Sequence, residues 1–124
     1  MDQNVLVSSG QALISALDHA GIRSRVAMWV HNTDYDRWKL WIVPPKDIKD
    51  KFEFYRRVSE IVSQNRIALG GIDASDTEMV FDSHPAMRGL SGMINAPGIN
   101  SIHVEANNFN GFFLPDGIII RSDM

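Results

Sequence analysis

Apolar residues in the first twenty positions recur at helical spacing. Leu6, Leu13, Leu17 and Ala20, with Ile14 beside them, predict a helix over 3–20 that ends at Gly21. Ser8 and Gln11 form a capping-box pair, which offers a later start for the regular helix. The pattern then changes to period two. Ile22, Val26, Met28 and Val30 alternate with Arg23, Arg25, Trp29 and His31 along 22–31, and Trp38, Leu40 and Ile42 alternate with Arg37, Lys39, Trp41 and Val43 along 37–43. This is a β-hairpin pattern holding all three tryptophans of the chain. If its two apolar sets share a face, a five-residue loop over 32–36 pairs His31 with Arg37, Trp29 with Lys39 and Trp41 with Ala27.

Pro44 and Pro45 end the second strand, because proline has no N–H for a ladder. Asp50, followed three positions on by Glu53, opens a second helix expected to reach Ala68, with Phe54, Val58, Ile61 and Val62 on its apolar stripe and Gly70-Gly71 beyond it. Residues 77–82 read as a short strand. Ser83-His84-Pro85 then starts a short helix reaching Ile94. The remainder reads as a meander: a strand over 101–105, an asparagine-rich connection, an apolar run over 112–114, a turn at Pro115-Asp116-Gly117 and a last strand over 118–120, with Asn110-Gly111 as the alternative turn.

Hairpins dominate this order. The expected fold is α+β, a mainly antiparallel sheet of five to six strands with two main helices packed on one face and one short helix. With 124 residues and no linker or repeat, the chain reads as a single domain, 1–124. The absence of cysteine excludes disulfides, thiolate metal sites and cysteine nucleophiles. It also fits a reducing compartment. With an acidic start and no long apolar run, the expectation is a cytoplasmic protein without a membrane segment. The formal charge of −3 hides an asymmetry, since ten of the twelve Lys and Arg fall in residues 22–66 against six acids. A mixed-sign surface of this kind is not that of a dedicated nucleic-acid binder, and it suits a local basic patch or self-association.

Three constellations carry candidate chemistry. The expected hairpin register places Trp29 and Trp41 on one face among Arg23, Arg25, Arg37 and Lys39. Aromatics with arginine are the residues enriched at interface anchors, so this face is expected to bind a protein partner or a second copy of the chain. Stacking of single-stranded nucleic acid is the weaker alternative. Asp82 and His84 lie just beyond one strand, while His103 and Glu105 share a side of another; were the strands neighbours, the four would form an acid–base site of a small hydrolase or nuclease. Finally, Asn107, Asn108 and Asn110 offer amides for a small polar ligand, although turn formation explains them as well. The alternating Asn32, Asp34 and Asp36 lack the glycine and the final acid of a calcium loop. No cofactor or metal site is expected. The leading expectation is a non-enzymatic interaction domain that works through protein–protein contact.

Overall fold

The computed structural model describes residues 2–109 and 111–124, and the side chains of these except 106, 107, 109, 112, 114 and 115. Helix α1 spans Gln3–His19, with Asp2 as its N-cap accepting from the amides of Asn4 and Val5. It closes in a Schellman motif: Ile22 N–H bonds Leu17 C=O at 2.8 Å, Gly21 N–H bonds Asp18 C=O at 3.0 Å, and Gly21 takes φ +81°. The remaining elements are β1 (Val26–Asn32), β2 (Arg37–Val43), α2 (Lys51–Gln64), β3 (Thr77–Met79), α3 (Pro85–Met93), β4 (Ile102–Phe109) and β5 (Phe112–Ser122). Asp50 caps α2, which stops four residues before the expected Ala68 because Asn65 ends it and turns its own amide back onto Ile61 C=O.

The fold is α+β, with three helices and a five-stranded mixed sheet of order β3-β2-β1-β5-β4 among the described residues. Three neighbouring pairs are antiparallel. The fourth, β2 with β3, is parallel and is joined through α2 as a βαβ crossover. The sheet separates two apolar layers. On one side α1 and α2 pack with Ala27, Trp29, Leu40, Ile42, Ile118 and Ile120; on the other, α3 packs with Val26, Met28, Val30, Val43, Val104 and Ile119. The central strand β1 is buried on both faces from Val26 to Val30.

This two-sided burial overturns the expected hairpin register. The observed partners are Trp29 with Leu40, Met28 with Trp41 and His31 with Trp38, one residue away from the parity argued above. A parity argument holds only where one face is apolar; with a helix layer on each side, Val26, Met28 and Val30 are buried, and so are Ala27 and Trp29. The loop is therefore four residues long, and Asp36 accepts a left-handed conformation at φ +48° to close it. Asn32 supports the turn by accepting from the amides of Asp34 and Tyr35.

Strand β5 also departs from expectation, running unbroken through Pro115-Asp116-Gly117. Pairing with β1 begins only at Gly117, and Pro115, which brings no N–H to a ladder, is bracketed by the β4 pairs Glu105–Asp116 and Asn107–Leu114 that hold the strand on either side of it. A β-bulge opposite Ala27 and Met28 inserts Ile120 into β5. It places Ile120 and Arg121 on the α1 side together, and Arg121 is buried there at 3% exposure. No helix among the described residues is long and apolar enough to cross a membrane.

Candidate functional site

The proposed face with two tryptophans does not form. Trp29 points into the α1 layer, 1% exposed, with its indole N–H donated to Leu6 C=O at 2.8 Å. Trp41 lies on the opposite side of the sheet, half-buried, its ring meeting His84 edge-on at 5.3 Å. The four cations are dispersed as well. Arg23 and Arg25 precede β1, which begins at Val26. Arg23 pairs with Asp123 at 2.9 Å and donates to Pro97 C=O, Lys39 donates to Ser75 C=O at 2.6 Å, and Arg37 is exposed at the start of β2.

The acid–base candidates do not converge either. His103 pairs with Ile118, whose side chain belongs to the α1 layer, so His103 and Glu105 lie on that face at the sheet edge β4. His84 caps α3 on the other face, with Nδ1 accepting from Ala86 N–H. Asp82 follows β3 at the far edge and pairs with Arg25 at 3.0 Å. Among the described residues no three His, Asp or Glu side chains approach closely enough to hold a metal ion. In the asparagine segment, Asn108 accepts from Gly111 N–H at 2.8 Å, a turn role; Asn110 lies outside the described residues, and so does the side chain of Asn107.

The structure assembles a different site from some of these residues. Where the parallel strands β2 and β3 end, the chain leaves β2 through Pro44 and β3 through Val80, and the two exits form the walls of a cleft of about 370 Å³. Ligand sites of parallel sheets favour this position, because the strand exits diverge and leave a crevice. Its floor is apolar: Ile48, Met79, Val80 and Phe81. Its rim carries Arg25, Lys46 and Lys49 against one carboxylate, Asp82. Arg25 fixes the geometry by donating Nε to Pro44 C=O at 2.9 Å and Nη1 to Asp82. Ile48 anchors the other end of the loop in the α1 layer, which leaves Lys46 and Lys49 exposed on a held backbone.

A second hollow of about 400 Å³ adjoins the first, sharing Met79, Val80 and Phe81 and adding Lys51, Glu78, Ser83 and His84. Phe81, 49% exposed, stands between the two with the Lys51 ammonium 5.8 Å from its ring centre. The pair of hollows makes a groove with a phenylalanine ridge and a mainly cationic border. The sequence signal for it was the lysine run at 46, 49 and 51 after Pro44-Pro45, which only the parallel pairing of β2 with β3 connects to Phe81. A comparison with family models, curated proteins and solved structures finds no match.

Proposed function

We propose that this chain is a protein-interaction domain that receives an acidic segment of a partner protein in the groove beyond β2 and β3. The observation that carries the reading is the cleft itself: an apolar floor of Ile48, Met79, Val80 and Phe81 beneath Arg25, Lys46 and Lys49. An apolar side chain of the partner fills the floor, and carboxylates beside it meet the lysines. Two adjoining hollows divided by Phe81 suit an extended polypeptide better than one enclosed small molecule. Complementary charge at such a rim steers encounter and selects the partner, while the buried apolar contact supplies most of the affinity.

Selection of random peptides on the native protein tests this. The expected winners carry Asp or Glu on either side of Leu, Phe or another large apolar residue. A synthetic winner, followed by fluorescence anisotropy, should bind less tightly as salt rises. Lys46→Glu combined with Lys49→Glu replaces two attractions with two repulsions at exposed positions, a change of about 1.4 kcal/mol in total. That predicts roughly tenfold weaker binding. Winners without acidic bias, or equal affinity in the double variant, would refute the reading.

A further inference from the structure

The two edges of the sheet are finished differently. At β3 the edge is three residues long, and the Met79 N–H is taken by the Tyr55 hydroxyl of α2 at 3.0 Å. At β4 the edge is eight residues long, and among the described residues no strand lies beyond it. Natural sheets blunt a long edge with proline, lysine or a bulge. The β4 sequence from Ile102 to Phe109 contains no proline or lysine, and its ladder with β5 keeps one register throughout.

The backbone groups that β4 presents outward follow from alternation across the sheet. Val80 N–H bonds Ile42 C=O, so the polar groups of Ile42 face β3 and those of Trp41 face β1. Carrying the alternation through Trp41–Met28, Trp29–Ile118 and Gly117–Val104 leaves Val104 bonded toward β5 and turns the N–H and C=O of His103 and Glu105 away from β5. Asn100, whose N–H bonds Ile120 C=O, keeps the same phase.

We infer that β4 pairs antiparallel with β4 of a second copy of this chain, about a two-fold axis at Val104, joining two sheets into one. In that register His103 of each copy lies opposite Glu105 of the other, and the N–H and C=O of each bond those of its counterpart. Among the axes at His103, Val104 and Glu105, charge selects this one. An axis at Glu105 opposes carboxylate to carboxylate, and an axis at His103 opposes imidazole to imidazole; the axis at Val104 gives two cross-strand pairs of unlike character. His103 and Glu105 are exposed on the same face, where such pairs form. Val104 meets its own copy as a non-hydrogen-bonded pair, with Cα atoms about 4.5 Å apart. The contact is isologous and closes on itself, so it yields a dimer and not a fibre.

The test combines mass with register. Sedimentation of the full chain over a concentration series should approach twice the 13.9 kDa of one copy. Glu105→Lys should shift the midpoint of association upward tenfold or more, and His103→Glu with Glu105→Lys should restore it by exchanging the signs. Because the chain has no cysteine, Val104→Cys under mild oxidation should give a disulfide-linked dimer; Ser101→Cys, whose copies lie far apart in this register, should not. The cross-linking arm decides the matter should a charge variant fail to fold. A monomer at all concentrations, a dimer indifferent to Glu105→Lys, or equal cross-linking at positions 101 and 104 overturns the inference.

Discussion

Asp18→Ala should lower the stability of the fold by about 3 kcal/mol, the low end of the cost of removing one partner from a buried ion pair, because the Asp18 side chain keeps 26% of its surface exposed. Arg121 is the buried charge, and the bulge in β5 turns it under the end of α1. Its Nη1 and Nη2 meet both oxygens of Asp18 at 2.9 and 2.7 Å. Its Nε donates to Pro97 C=O at 2.9 Å and, more weakly, to Gly98 C=O at 3.3 Å, while Nη1 also reaches Ser24 C=O at 3.3 Å. One guanidinium thus ties α1, the approach to β1 and the approach to β4. Without Asp18 the cation stays buried with carbonyls alone. Asp18→Asn keeps an acceptor and should lose less. Asp18→Ala with Arg121→Met removes both charges and should recover part of the loss, while leaving the Pro97 carbonyl without its Arg121 bond. Urea unfolding reads all three: the midpoint should be lowest for Asp18→Ala, with both other variants above it, while the slope stays constant. A loss under 1 kcal/mol for Asp18→Ala would show that water replaces the carboxylate at the guanidinium.

Signals that act over a few residues were legible in the chain. Asp50 ahead of Glu53, His84-Pro85 and the stripe from Leu6 to Leu17 each mark a helix that the structure contains, because caps and periodicity are settled locally. What could not be read was the number of layers. Alternation along β1 reads as an inner and an outer face, yet α3 comes back across the second face and buries it, so the parity of the hairpin carries no information. The candidate site depends on the same blind spot. Lys46, Lys49 and Phe81 belong to one groove only because β3 lies parallel beside β2, a pairing set by the α2 crossover and by three residues of ladder. His103 and His84, in contrast, each sit near a strand, and the two strands are at opposite edges of the sheet.

Gly10→Ala should destabilise the protein by about 1–3 kcal/mol, the range for an overpacked contact. In an exposed helix the same change would stabilise by about 1 kcal/mol, so the sign is the test. A Cβ at position 10 would stand 2.6 Å from Nε1 of Trp29. The indole has nowhere to retreat: its N–H is bound to Leu6 C=O on the same helix, the ring is 1% exposed, and its strand neighbours Leu40 and Ile118 are fully buried. The helix must therefore lift from the sheet or give up that hydrogen bond. Trp29→Phe removes the clashing nitrogen along with the bond, so the double variant should lose less than the sum of the two single changes, a coupling that urea midpoints resolve. A neutral or stabilising Gly10→Ala would mean that α1 sits more loosely than this contact implies. The same measurement separates packing from recognition. Substitutions at Trp29 and Gly10 act on stability, whereas Lys46→Glu and Lys49→Glu, at exposed positions, should leave it within about 0.5 kcal/mol while weakening the bound segment.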